Sequence, residues 1–146
     1  VSAVEVVEAH LRRIERHNPA INAVVTLDGD GAVATAREVD AALARGEYGG
    51  PLHGVPVTLK DCHATAGMRT TAGYPPLADY VPEQDGTIAA RLKAAGAIVL
   101  GKTNVSTLLA DVQSSNALFG RTNNPWNLER TPGGSSGGAA AAVAAG

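Results

Sequence analysis

Thr131-Pro132-Gly133-Gly134-Ser135-Ser136-Gly137-Gly138 runs straight into Ala139–Ala145, a stretch that reads as the start of a helix. Four glycines flank two adjacent serines. Glycines let the backbone pass close to a ligand and adopt dihedrals closed to other residues. The following helix directs unpaired N–H groups and a partial positive charge back at the loop. A reactive hydroxyl or a bound anion suits such a place; a flexible Gly/Ser linker is the alternative, weakened by the helix that follows at once. A phosphate-binding loop is excluded, because Ala139-Ala140 stand where that pattern requires lysine and a hydroxyl residue.

Working back along the chain, the second stretch of interest is Gly54-Val55-Pro56-Val57-Thr58-Leu59-Lys60-Asp61. Val55–Leu59 reads as a short apolar strand with Lys60 at its C-terminal end. A lysine there either leaves the sheet for water or stays inside. A buried ammonium is costly unless paired, and a lysine that gives up its proton is a workable general base.

The rest of the chain supplies alternating elements. Ser2 and Glu5 form a capping box ahead of a helical stripe of Val6, Leu11 and Ile14, which Asn18-Pro19 is expected to stop. Ile21–Leu27 reads as a strand, residues 28–31 as a turn and Ala32–Arg45 as a helix. Asp85 is placed to cap a helix from Thr87 to Ala95. Ala97–Leu100 reads as a strand, Thr103–Val112 as a helix, and Ser114–Thr131 as a loop in which Trp126 packs. This order predicts an α/β fold, a mixed sheet covered by helices. No repeat and no long polar linker divides the 146 residues.

Composition narrows the function. The chain is 45% hydrophobic, enough for a core, and its net charge of -2 offers nothing to nucleic acid or acidic lipid. No apolar run reaches membrane-spanning length. Cys62 is the only cysteine, so no internal disulfide forms, which points to a reducing, cytoplasmic setting. A lysine-activated thiolate at Cys62 is conceivable, though a small packing residue is the plainer reading. His10 and His17 lie two helical turns apart, about 10 Å, too far to share a metal ion. Because the chain begins at Val1 and stops at Gly146 within an alanine-rich run, an incomplete domain is expected.

Four segments in order, GVPVTLKD (54–61), AAGAIVLGKTN (94–104), FGRTNNPWN (119–127) and TPGGSSGGAAAAVAAG (131–146), resemble the amidase signature family. The resemblance covers essentially the whole chain and implies that residues 1–146 form the N-terminal portion of a single amidase signature domain. It implies hydrolysis of a carboxylic amide through an acyl-enzyme, without metal or cofactor. Lys60 would be the base of a Ser-cisSer-Lys triad and Ser135 the bridging serine, preceded by a cis peptide bond. Gly133, Gly134 and Ser136 would support them, and Ser114, Ser115 and Asn116 fall where the family lines its acyl pocket. Ser136 would either donate a hydrogen bond in the site or cap the helix. The nucleophilic serine and the oxyanion hole would lie beyond Gly146, so residues 1–146 alone should be inactive. The partners implied are a small-molecule amide, no nucleic acid and no membrane, with a homodimer left open. Two other readings remain: the glutamine-hydrolysing component of an aminoacyl-tRNA amidotransferase, and a scaffold without turnover. Ala139, Thr107 and Cys62 depart from common family residues and bear on substrate choice.

Overall fold

The computed structural model describes residues 1–146. Its elements are α1 (Ala3–Ile21), β1 (Val24–Leu27), α2 (Gly29–Ala44), β2 (Pro56–Lys60), α3 (Thr87–Ala94), β3 (Ile98–Thr103), β4 (Ser115–Asn116), β5 (Gly120–Arg121) and α4 (Gly137–Ala144). Single 3-10 turns stand at Pro75–Leu77 and Thr107–Leu109. The main sheet is mixed and runs β1-β3-β2. β3 is parallel to β2, with Lys60 opposite Thr103, and antiparallel to β1.

All six residues of the central strand β3 are buried. Alternation divides them between two layers. Ile98 and Leu100 meet Val7 of α1 and Ala32 and Ala36 of α2. Val99 joins Leu59, Met68 and Ala89 of α3 on the other face. With so few aromatic residues, the layers close through alanine and valine, which lets backbones approach closely. The mixed sheet covered by helices follows the reading of the sequence.

Several local expectations change. The capping box forms, with Glu5 N–H on Ser2 Oγ and Ser2 N–H on the Glu5 carboxylate. The Asp40 carboxylate adds a second cap from α2 by accepting the Ala3 and Val4 N–H groups. These backbone bonds hold the Asp40 carboxyl below its ordinary range. α1 does not stop at Asn18-Pro19. It runs on to Ile21 and ends at Asn22, whose φ is 49°. The Asn18 side chain makes this possible: its Oδ1 accepts from Ala23 and Val24 N–H, and its Nδ2 donates to Val24 O, each at 2.8 Å. β1 accordingly begins at Val24. Residues 28–31 are no free turn, because Asp28 Oδ1 takes the Gly31 N–H at 3.0 Å and starts α2 at Gly29.

Asp85 does not cap α3, where Gly86 holds the cap position. Its carboxylate pairs instead with Lys93 and with the Ala66 N–H. β3 extends to Thr103, and the helix expected over Thr103–Val112 is absent. The chain leaves the sheet at Asn104, passes through Leu108 and Leu109 with φ of 50° and 64°, and sends the Leu108 N–H to Ala72 O. Ser114–Thr131 contains the short β4–β5 hairpin, and Trp126 is 85% exposed rather than packed. No helix is long and apolar enough to cross a membrane.

Candidate active site

Two pieces of chain far apart in sequence meet at the C-terminal end of β2. Lys60, half-buried as the last residue of that strand, donates from Nζ to Ser135 Oγ at 2.7 Å. Ser135 is reached through a cis Gly134–Ser135 peptide bond. Lys60 neither points freely to water nor is sealed in the core.

The glycine loop is pinned to the sheet. Gly138 donates its N–H to Asn104 O, and a Cβ at Gly138 would run into the Asn104 main chain. Asn104 sits just past β3, so this contact ties the head of α4 to the central strand. Gly133 takes a φ of 87°, which favours glycine. Ser136 is exposed and makes no side-chain cap, so of its two expected uses the cap is not made. The cap comes from Ser114, whose Oγ accepts the Gly137 N–H at 2.7 Å.

The three residues expected to line an acyl pocket occupy different places. Ser114 is completely buried and Ser115 is exposed on β4. Asn116 is 8% exposed and belongs to an interior amide network. Its Nδ2 donates to Asn104 Oδ1 and Val105 O, both at 2.8 Å, while its Oδ1 accepts from Leu118 and Phe119. Asn104 Nδ2 in turn reaches Gly120 O and Thr122 Oγ1. The segments 98–104, 116–122 and 133–138 are therefore one connected structure.

Sequence reasoning missed two charged groups beside the site. Lys102 of β3 is completely buried. Its Nζ donates to His63 O, to Thr70 Oγ1 at 2.7 Å and to Thr65 Oγ1 at 3.4 Å. Burial lowers its pKa from the ordinary 10.5 to about 8, against the pull of Asp61. The signal that exposed Lys60, a lysine in an apolar strand, was equally present in Ile98–Thr103. Asp61 is also fully buried. Its Oδ2 takes the Thr71 hydroxyl and N–H, and its Oδ1 has no partner. Desolvation pushes its carboxyl up, opposed by Thr71 and Lys102. Burial first, then Lys102 and Lys60, lowers the pKa of His63. Cys62 is a half-buried free thiol in the turn after β2, so the strand does not carry it onto the face of Lys60.

The chain belongs to the amidase family: the model described as Amidase matches residues 5–146. Among its curated relatives is the A-type subunit of the glutamyl-tRNA(Gln) amidotransferase of Acidothermus cellulolyticus. The two are 51% identical over 145 residues, covering 99% of this chain and 29% of that protein. The corresponding subunit of Carboxydothermus hydrogenoformans is also 51% identical, over 146 residues, covering 100% of this chain and 30% of the relative. A bacterial aryl acylamidase belonging to the amidase signature enzymes superposes with a TM-score of 0.93 at 36% identity, over 99% of this chain and 30% of that one. The chain thus spans about 30% of the length of the curated relatives it matches. One expectation is corrected. Net charge and the likeness to a plain amidase implied no connection with nucleic acid, but the curated relatives are named for glutamyl-tRNA(Gln).

Proposed function

We propose that residues 1–146 are the N-terminal portion of a single amidase signature domain and supply the base and the bridging hydroxyl for cleavage of a carboxylic amide. The observation that carries this reading is the 2.7 Å contact between Lys60 Nζ and Ser135 Oγ. In this reading the nucleophile is a serine C-terminal to Gly146, as the family resemblance implies. As its oxygen attacks the amide carbon, its proton passes to Ser135 Oγ while the Ser135 proton passes to Lys60 Nζ, a role that requires Lys60 to have given up a proton first. Collapse of the tetrahedral intermediate breaks the C–N bond. The proton returns through Ser135 to the departing nitrogen, and water or another acceptor then releases the acyl group. Residues 1–146 contribute no oxyanion hole to this scheme.

Glutamine is the amide favoured by the similarity to the amidotransferase relatives, which exceeds the 36% identity to the aryl acylamidase. In that reading the released ammonia serves a tRNA-linked partner reaction. The unpaired Cys62 fits a cytoplasmic protein.

The test is intact-mass analysis after exposure to a fluorophosphonate, on residues 1–146 and on a version extended past Gly146. An adduct on the extended form only, lost in Lys60→Ala, supports the reading. An adduct on Ser135 would make that residue the nucleophile instead. No adduct on either folded form would favour a scaffold without turnover.

A further inference from the structure

Ser114 falls where the family resemblance implies an acyl pocket, yet none of it reaches solvent. It faces the glycine loop from outside and bonds to it twice. Its main-chain N–H donates to Gly133 O at 3.1 Å, and its Oγ accepts the Gly137 N–H at 2.7 Å. Gly133 and Gly137 stand two residues before and two residues after Ser135. The contact has no slack: a Cβ at Gly137 would lie 2.6 Å from Ser114 Oγ, and one at Gly134 would lie 2.8 Å from the Gln113 nitrogen. Ser136, the cap residue of α4, makes no side-chain bond to the helix, so the Ser114 hydroxyl takes over that duty from another part of the chain.

We propose that Ser114 is a positioning residue, a clasp closed on both sides of Ser135 that keeps its hydroxyl on Lys60. The proposal rests on reading Lys60 and Ser135 as the proton relay. Lys60 is fixed by the sheet and Ser135 by the loop, so the 2.7 Å between them depends on how the loop is held. Proton transfer between positioned groups falls off steeply with small displacements, and a slip of about 1 Å is enough to cost ~100-fold. Ser114 makes no hydrogen bond to the lysine or the bridging serine, so it acts through the loop and not on the reacting atoms.

The experiment uses the full-length protein that carries this segment, in three forms: wild type, Ser114→Ala and Ser114→Thr. Two quantities are read. Hydrogen exchange at the Gly137 amide tests the clasp without reference to any reaction. Exchange at least about 10-fold faster in Ser114→Ala, with protection kept in Ser114→Thr, is expected. Unchanged exchange in Ser114→Ala overturns the clasp. Steady-state kinetics then test the role. In Ser114→Ala, kcat is expected to fall by about 100-fold with KM within about 2-fold, while Ser114→Thr keeps at least about a tenth of the wild-type kcat. A rise in KM at unchanged kcat would instead make Ser114 a substrate contact and overturn the proposal. If Ser114→Ala does not fold, Ser114→Cys gives the same comparison with a weaker acceptor of similar size. Wild-type protein without amide turnover would sink the relay reading alone, and the exchange data would still decide whether the clasp exists.

Discussion

Lys60 and Lys102 stand one residue out of step on neighbouring parallel strands, and the fold treats them in opposite ways. Leu59 is opposite Lys102 in register, so Lys60 turns to the other face of the sheet. Lys102 lies under the irregular segment 61–73, sealed from solvent, with its ammonium donating to three oxygens. Lys60 is half-buried and meets one hydroxyl. The Lys102 ammonium donates to three oxygens and holds loop to sheet, so its removal should be felt first in stability. Lys60 has a single partner, the Ser135 hydroxyl of the glycine loop. Burial alone therefore does not distinguish the two lysines; the number and kind of their partners do.

The comparison breaks most visibly at Lys60. Lys60→Ala in the full-length protein is expected to lower kcat for amide cleavage by about 10³-fold. The thermal midpoint should move by only a few degrees, because the side chain is only half-buried and makes a single hydrogen bond. Calorimetry beside kinetics checks both, and a large fall in stability would mean that Lys60 too is structural.

Lys102→Met should do the reverse. It leaves His63 O, Thr65 and Thr70 without their donor and Asp61 without an opposing charge, a loss of about 3 kcal/mol in folding stability. Asp61→Asn combined with Lys102→Met should be less destabilised than the sum of the single changes, since neither charge is then left alone. Urea unfolding of the four proteins measures the coupling, and simple additivity would separate the two residues.

Titration sharpens the contrast. Lys102 has a folded pKa of about 8, below its ordinary 10.5. Between these values the unfolded chain binds more protons than the folded one, so this group makes stability rise with pH across that window. Below pH 8 the cost of burying the charge is fully present. The rise should total roughly 3 kcal/mol at most and disappear in Lys102→Met. Urea midpoints at both ends of the window check it, and an identical rise in Lys102→Met would assign it to other groups.

The smallest effect belongs to one acceptor. Thr70→Val removes a single hydroxyl from the Lys102 ammonium and should cost about 1–2 kcal/mol, with amide turnover unchanged. A fall in turnover would show that the two faces of the sheet communicate.

Much of this was legible in the residues. The capping box of α1, the strand ending at Lys60, the helix at Thr87 and the glycine loop into α4 each rest on signals carried by neighbours in sequence. What escaped depends on distant partners. Pro19 looks like a stop, but the Asn18 amide receives the chain beyond it. Thr107-Leu108-Leu109-Ala110 has helix-forming composition, yet its backbone bonds go to Ala72 and within a tight turn. Lys102 shows the limit for the site: its strand looks like that of Lys60, and only the oxygens folded around it distinguish the two. Ser114 likewise reads as a pocket-lining residue until Gly137 is brought against it.

The strand order has a consequence for how the chain is made. β3 lies between β1 and β2 yet follows both in sequence. As the polypeptide leaves the ribosome, α1 and α2 emerge well before Ile98 and Leu100, which complete their core with Val7, Ala32 and Ala36. β1 and β2 have no common neighbour until residues 98–103 emerge. At ~5–20 residues per second that wait is a few seconds. Until then the apolar faces of α1 and α2 lack Ile98 and Leu100, and β1 and β2 lack the strand that joins them.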